Sequence, residues 1–434
     1  MLKAVIFDMD GVIIDSEPLH ARAAVMAAKK YDINLSVAEC YEFIGSTNRY
    51  MFETLLGNDN HSVSLEDLLI ANDEAKEQLR NEEGYQAIDG VKELIIHLYK
   101  QGVRLAIASS SPLHDIKEVT KALGITKYFD KLISGTTVPN SKPAPDIFLK
   151  TLKEMGMNPK ECMIIEDSFN GTLAAKDAGV PCIGFINPNS GNQDLSNASV
   201  LIESFKNVDY QFLSDELKRA NGEPVTIANT KRLIIRELTV SDIKDMYQIY
   251  QNEEVVRFVD DLNDYLDVEM EKHKAYIKNI YGFYGYGLWG VYSKTTKALI
   301  GRAGIQNQMI DGKEEIELSY LFDVNHWGYG YAFECTSAIL SYAVNILEIP
   351  RIVAVIDELN TRSIKVAERI GMKREKEITH KDRQCYLYSI SLTPESTDED
   401  EKRIAATAKV IEEFTIQPDK QVYSKRFQHK KKEQ

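Results

Sequence analysis

Long apolar runs are missing from this chain of 434 residues. The longest, such as LIIHLY at 94–99, fall far short of the roughly 20 residues that a bilayer-spanning helix needs. No membrane partner is therefore expected. Basic charge is also short: 52 Lys and Arg stand against 66 Asp and Glu, a net charge of −14. That balance argues against nucleic acid as the main ligand, because phosphate backbones attract basic surfaces. Cysteine is sparse and scattered: Cys40, Cys162, Cys182, Cys335 and Cys385 form no C-x-x-C pair and read as buried thiols in a reducing compartment. The eight histidines offer neither H-x-H nor H-E-x-x-H, so a zinc site has no support. The opening MLKAVIFDMDG puts Asp8 and Asp10 where a secretory peptide would need an apolar core; a cytoplasmic location is expected.

What is present is length enough for two or three domains and three compositional regimes. Residues 1–217 alternate short β-branched runs (3–9, 103–109, 131–135, 162–167 and 180–185) with helical patterns, the rhythm of an α/β parallel sheet covered by helices. One interruption, about 16–88, has helical periodicity without a strand signal and reads as a helical cap over the carboxyl ends of the strands. Residues 218–230, KRANGEPVTIANT, lose periodicity and read as a linker. The next regime, 231–392, carries antiparallel-looking strands at 231–236, 286–292, 298–305, 314–322, 351–356 and 383–391, with helices between them. Beyond it, 393–434 forms a charged tail with one expected helix near 399–414 and a basic end, KRFQHKKKEQ, read as partly disordered.

Chemistry concentrates at strand ends. Asp8 and Asp10, in D-M-D-G, close the first strand, where an open parallel sheet binds its ligands. Two carboxylates one residue apart can converge on a metal ion and a phosphoryl group. D-x-D-G alone is also a common loop. Here, however, Ser109 ends the second strand, Lys142 lies in the S-K-P-A-P-D loop after the third, and Glu166-Asp167 end the fourth. An alcohol, an ammonium and an acidic pair after successive strands make a cradle for phosphate and Mg²⁺.

These segments (FDMDGVIIDSEPLH at 7–20, IASSSP at 107–112, SKPAPDIF at 141–148 and IIEDSFNGTLAAKDAG at 164–179) resemble the haloacid dehalogenase superfamily. The likeness is to its branch with a helical cap, which holds small phosphatases and β-phosphoglucomutase. The resemblance implies that Asp8 is the nucleophile that forms an aspartyl-phosphate and Asp10 the general acid and base. It also implies that Ser109 and Lys142 hold the phosphoryl group of a small phosphorylated metabolite, and that Asp167 and Glu166, with Asp8 and Asp10, bind Mg²⁺. His20 and Arg49 fall near positions that contact the sugar phosphate in the mutase-like members. Arg49, though, follows Gly45 by four residues, one more than expected of the mutase, which favours phosphatase over mutase.

In the second regime, I316-E-L-S-Y-L-F322 reads as a strand feeding W327-G-Y-G-Y-A332, which opens a helix. Glycines at such a turn let N–H groups approach a pyrophosphate at the positive end of the helix dipole. With N360-T-R-S363-I-K-V-A-E-R-I-G371-M and the opening R-L-I-I-R-E-L-T-V-S-D at 232–242, this region resembles the GNAT acetyltransferases, in particular their ribosomal-protein N-acetyltransferase branch. The resemblance implies a mixed α+β fold that binds acetyl-CoA. The backbone of Trp327, Gly328, Tyr329, Gly330, Tyr331 and Ala332 would take the pyrophosphate, Asn360 and Ser363 would contact the cofactor, and Glu317 would act as general base. The tyrosine often used as general acid is replaced by Ala367, leaving Tyr320, Tyr386 or water for that role. The acceptor amine is a small molecule or a protein N-terminus. The leading expectation is a bifunctional phosphatase and N-acetyltransferase. The alternatives are a sugar-phosphate mutase joined to a protein N-terminal acetyltransferase, or a regulatory protein with one inactive domain.

Overall fold

The structure, a computed structural model, describes residues 1–43, 48–57, 63–206, 208–260 and 262–391. Gly45, the expected tail helix and the basic end lie outside these. Two compact units divide the chain, Met1–Asn221 and one from Gly222 onward. No helix among the described residues is long and apolar enough to cross a membrane.

The first unit is a six-stranded parallel sheet of β1 (Ala4–Phe7), β2 (Arg104–Ser109), β3 (Lys131–Ser134), β4 (Cys162–Glu166), β5 (Cys182–Phe185) and β6 (Val200–Ile202), in the order β3-β2-β1-β4-β5-β6. Its helices are α1 (Glu17–Lys30), α2 (Val37–Glu42), α3 (Asn48–Leu56), α4 (Leu65–Glu83), α5 (Val91–Lys100), α6 (Leu113–Ala122), α7 (Asp146–Met155), α8 (Phe169–Asp177) and α9 (Tyr210–Ala220). A parallel sheet buried on both faces needs apolar residues at every position, and β1 shows why AVIF is continuous. Val5 and Phe7 pack with side chains of α5, α6 and α9, while Ala4 and Ile6 pack with those of α7 and α8.

Helices α1 to α4 interrupt this pattern directly after β1 and hold a core of their own, including Ala21, Ala24, Ala28, Phe52 and Leu68. Two of them begin where the sequence supplies capping boxes. Ser36 pairs with Glu39 at α2, and Ser64 with Asp67 at α4, each satisfying backbone donors that the first turn leaves free.

The second unit is a mixed sheet of β7 (Thr226–Asn229), β8 (Leu233–Arg236), β9 (Leu288–Ser293), β10 (Leu299–Ile310), β11 (Lys313–Phe322), β12 (Arg351–Asp357), β13 (Lys373–His380) and β14 (Arg383–Ser391), ordered β13-β14-β12-β11-β10-β9-β8-β7. Its helices are α10 (Ile243–Tyr250), α11 (Glu253–Val256), α12 (Leu266–Tyr276), α13 (Gly282–Tyr284), α14 (Tyr331–Asn345) and α15 (Thr361–Arg369). Neighbouring strands run antiparallel except β11 and β12, which are parallel and pair at a single position, Glu317 with Val353. Helix α14 packs on this sheet. Its buried Glu334 accepts hydrogen bonds from the Thr230 hydroxyl (2.5 Å), the Arg232 backbone N–H (2.8 Å) and the Arg232 Nε (2.6 Å), tying the helix to the β7–β8 turn.

The stretch 218–230, expected to be a linker, differs from that reading. Its first three residues end α9, and Thr226–Asn229 pair with β8 as an edge strand. The Gly, Asn and Pro around positions 221–224 hide a β run of only four residues. All five cysteines are buried free thiols.

Ile6 is fully buried at the centre of the first sheet. Ile6→Ala is expected to cost about 2–5 kcal/mol, the range for a large-to-small change in a packed core. Chemical denaturation of the full chain followed by circular dichroism checks it.

Candidate active sites at the ends of parallel strands

Strands β1 and β4 are neighbours, with Phe7 opposite Ile165. The residues one step beyond these, Asp8 and Glu166-Asp167, therefore emerge side by side at the carboxyl edge of the sheet. The loop after β3 delivers Lys142, whose Nζ donates to Asp8 Oδ1 (2.7 Å), Glu166 Oε1 (2.6 Å) and the Ala108 carbonyl (3.1 Å). Glu166 Oε2 also accepts from the N–H of Asp167 (3.0 Å) and from the N–H and hydroxyl of Ser168 (3.2 and 3.0 Å). Side-chain oxygens of Asp8, Glu166 and Asp167 lie within 4.8 Å of one another, and all three residues are buried.

Two glycines shape this pocket from behind. A Cβ on Gly11, at φ +77°, would sit 1.9 Å from Asp167 Oδ2, and one on Gly171 would sit 1.8 Å from the Glu166 carboxylate. Neither position has room for a side chain.

The charges do not balance. Burial, reinforced by Glu166 and Asp10 and opposed by Lys142, pushes Asp8 up to about 7. Burial together with Glu166 and Asp8 pushes Asp167 well above the usual carboxylate range. Burial pulls Lys142 down, but Asp8 and Glu166 outweigh it and hold the ammonium above its ordinary value. One cation thus serves three carboxylates. Oxygen donors carrying surplus negative charge are the set that a hard divalent cation requires.

The other expected residues fall differently. Ser109, at the end of β2, is buried and its Oγ accepts from the Ser111 N–H (3.0 Å), leaving the Ser109 hydroxyl hydrogen free to donate elsewhere. Asp10 stands apart from the three-carboxylate group: its Oδ2 accepts from the Ser111 hydroxyl (2.8 Å). His20, on α1, lies near enough to Asp10, Lys76 and Arg80 to feel their charges. Burial first, then Lys76, drives it down to about 4 against the pull of Asp10, so its ring is neutral near pH 7. Arg49 is not brought to the cluster. On the exposed surface of α3 it pairs with Glu66 (3.3 Å) and Glu53 (3.9 Å), carboxylates that compete successfully for its charge.

Several residues here were not anticipated. The Ser190 hydroxyl donates to Asp167, Asn187 Nδ2 to the Gly11 carbonyl (3.0 Å), and Asn189 Nδ2 to Asp15 (2.6 Å). All three lie in N-P-N-S directly after β5, and the rule that ligands gather beyond strand carboxyl ends would have flagged that loop. From the inserted helices come Glu17, pushed to about 7 by burial with Asp10 and Asp15, and Lys76, lowered chiefly by burial.

Among the described residues of the second unit, one parallel pair of strands, β11 and β12, marks the other candidate site. Near their amino ends β11 and β12 stay together, with Arg351 reaching Glu315 (3.1 Å); past Glu317 they part. The turn Trp327–Gly330 then leads into α14, with Gly328 and Gly330 at φ +82° and +78° and open space where a Cβ of Gly328 would lie. No side chain caps α14, so the N–H groups of its first turn have no intrahelical acceptor. The Trp327 ring lies under the Arg362 guanidinium (4.4 Å), Tyr331 lies under that of Arg232 (4.3 Å), and the indole N–H is spent on the Phe322 carbonyl (2.8 Å). Tyr329 is largely exposed, and Ala332 sits in the first turn of α14. The side-chain oxygen of Asn360 caps α15, accepting from the Ser363 N–H (3.1 Å), and its amide NH₂ can donate to a ligand. Glu317 accepts from Gln306 (3.4 Å) and from the Val355 backbone; burial pushes its carboxyl upward.

Comparison with known proteins agrees with both resemblances. Residues 5–185 match the haloacid dehalogenase-like hydrolase family and residues 232–373 the acetyltransferase (GNAT) domain family. A phosphorylated carbohydrates phosphatase of Thermotoga maritima is 32% identical over 179 residues, 41% of this chain and 82% of that protein. Hexitol phosphatase B of Escherichia coli is 32% identical over 193 residues, 44% of this chain and 86% of that protein. The crystal structure of CbbY from Rhodobacter sphaeroides in complex with phosphate has a TM-score of 0.44 and 28% identity, covering 49% of this chain and all of that one. The chain belongs to the haloacid dehalogenase-like hydrolases through its first unit and carries a GNAT acetyltransferase domain in its second, two enzyme domains in one polypeptide.

Proposed function

We propose that the first unit hydrolyses a small phosphorylated sugar or polyol through an aspartyl-phosphate on Asp8, and that the second transfers an acetyl group from acetyl-CoA to an amine. The observation that carries the first half is the Lys142 ammonium held between Asp8 and Glu166. The names of the phosphatases similar to this chain favour a carbohydrate phosphate. The engagement of Arg49 with Glu53 and Glu66 favours hydrolysis over mutase chemistry.

The three clustered carboxylates fit Mg²⁺, and Asp8, Glu166 and Asp167 would hold it. When bound, Mg²⁺ supplies positive charge that offsets the repulsion between a carboxylate nucleophile and a phosphate. The protein's own groups do the rest. Lys142 and the free hydroxyl hydrogen of Ser109 bind phosphoryl oxygens. An Asp8 oxygen forms the new bond to phosphorus while the ester P–O bond breaks, and Asp10 gives the departing alkoxide its proton. Ser111 holds Asp10 for that transfer and for the reverse one, in which Asp10 takes a proton from the water that cleaves the aspartyl-phosphate. Glu17, His20 and Lys76 face the substrate from the inserted helices.

For the second unit, the uncapped N–H groups of 328–333 suit a pyrophosphate, and the gap between β11 and β12 suits an extended thioester arm. Glu317, its carboxyl raised by burial, suits a general base for the amine.

Two outcomes test this. Asp8→Asn is expected to lower phosphate release from hexitol phosphates by several orders of magnitude while leaving acetyl-CoA affinity unchanged by calorimetry; substantial residual hydrolysis would exclude the aspartyl-phosphate. The second concerns pH. Because the folded state holds Asp8 at about 7, above an ordinary carboxylate, it binds more protons than the unfolded chain between about pH 4 and 7. Metal-free stability should therefore fall as pH rises through that window. Mg²⁺ should raise the melting temperature more at pH 8 than at pH 5, where protons compete for the same oxygens. A pH-independent shift in differential scanning fluorimetry would remove Asp8 from the metal site.

A further inference from the structure

We propose that Asn189 is a positioning residue: through Asp15 it fixes how the inserted helices stand over the site, and through its loop it links that stance to occupancy of the metal site. This rests on the Mg²⁺-dependent phosphatase reading of the first unit.

The loop after β5 grips three parts of the first unit within four residues. Asn187 is buried, and its amide is engaged at both ends: Nδ2 donates to the Gly11 carbonyl (3.0 Å) and Oδ1 accepts from the Asn189 N–H (2.8 Å). That holds the loop against the turn that carries Asp8 and Asp10. The Asn187 carbonyl accepts from the Ser190 N–H (3.1 Å), and the Ser190 hydroxyl donates to Asp167. Gln193 braces the far side, accepting from the Phe169 N–H at the start of α8 and donating to the Ser190 carbonyl (both 3.1 Å). From this braced loop Asn189 Nδ2 reaches Asp15 Oδ2 (2.6 Å).

Asp15 is where the chain leaves the sheet for the inserted helices. The outgoing and returning segments run side by side there. The Asp15 N–H donates to the Gln86 carbonyl (2.9 Å), the Ile88 N–H donates to the Ile13 carbonyl (3.0 Å), and Ile14 pairs with Ala87. Helices α1 to α4, with a core of their own, are carried on this ribbon. Two strands alone make a weak support, and a third contact from the side fixes their angle. Asn189 supplies it, through a hydrogen bond to a carboxylate, the stronger kind. The other carboxylate oxygen, Oδ1, is buried without a partner, so among the described residues Asn189 is the one donor that Asp15 has. Two and five residues further on stand Glu17 and His20, both near enough to Asp10 to feel its charge. A small rotation at Asp15 moves both relative to the proton donor.

Neighbouring residues of one loop therefore hold a metal ligand and the base of the inserted helices. A cation at Asp167 orients that carboxylate and, with it, Ser190. A substrate held by α1 and α4 orients Asp15 and, with it, Asn189. Each event favours the other, and linkage makes the effect equal in both directions.

The test is calorimetric titration of the full chain with Mg²⁺, in saturating methylphosphonate and in the saturating phosphonate analogue of sorbitol 6-phosphate. Both bring the same charged head group, but only the second reaches the inserted helices. The wild type is expected to bind Mg²⁺ about five- to tenfold more tightly with the second, the low end of the range for coupled sites. In Asn189→Ala that ratio should fall to about one, while Mg²⁺ affinity in methylphosphonate changes less than about twofold; damage to the metal site itself would move both. Asn189→Asp combined with Asp15→Asn exchanges donor and acceptor and should restore the ratio. An unchanged ratio in Asn189→Ala, a ratio near one in the wild type, or no restoration by the exchange overturns the assignment. Should Asn189→Ala not fold, Asp15→Asn weakens the same bond by removing its charge and should lower the ratio at least twofold; no change there overturns the assignment equally. Absence of Mg²⁺ binding, or of sorbitol phosphonate binding, in the wild type is a separate result that overturns the phosphatase reading, and this assignment with it.

Discussion

One ammonium among three buried carboxylates governs the first unit. Lys142 bonds Asp8 and Glu166 at once, and Asp167 stands within reach of both. Taking charges out of water costs several kcal/mol for each ion unless partners and hydrogen bonds compensate. The surroundings are therefore arranged around these groups: the N–H groups of Asp167 and Ser168 turn toward Glu166, and the Ser190 hydroxyl toward Asp167. Compensation is incomplete, as the raised Asp8 and Asp167 carboxyls show. A site left short of positive charge is ready to receive it from a ligand.

Both units place their chemistry by the same rule. In the first, every strand is parallel, and the functional groups stand just beyond the carboxyl ends of its central strands. In the second, the seven strand pairings among the described residues include a single parallel one, and the gap, Glu317, Tyr320 and the uncapped turn all belong to that pair. Parallel neighbours must be joined by a crossover, and the crossover helix begins where the first strand ends. Here that helix is α14, so its free N–H groups are delivered to the mouth of the gap.

Asp8, Ser109, Lys142 and Glu166-Asp167 were legible in the sequence because each sits at or just after a strand whose apolar run announces it. Glu17 and Lys76 were not, since a charged residue on an amphipathic helix looks solvated until tertiary packing turns it inward. Arg49 was expected near the substrate by position, and in this structure it pairs with Glu53 one turn along α3 and with Glu66 on α4. Among the strands, β13 escaped notice because KREKEITH is exposed along nearly its whole length and so carries no apolar alternation. Strand β6, three residues long, is too brief to leave a pattern. In the second unit the turn at 327–332 and the helix after Asn360 could be read, whereas the parting of β11 from β12 could not, because a single pairing position leaves no mark in either strand's composition.

The bond between Thr230 and Glu334 settles where the second unit could be made to stand alone. A protein beginning at Lys231 would keep the whole GNAT-matching region yet lose the edge strand β7 and the hydroxyl that Glu334 accepts from. Its exposed β8 edge would then offer unpaired backbone groups to a neighbouring copy, and the expected symptom is self-association rather than lost catalysis. Starting at Gly222 keeps β7 over the β8 edge and the hydroxyl that Glu334 accepts from.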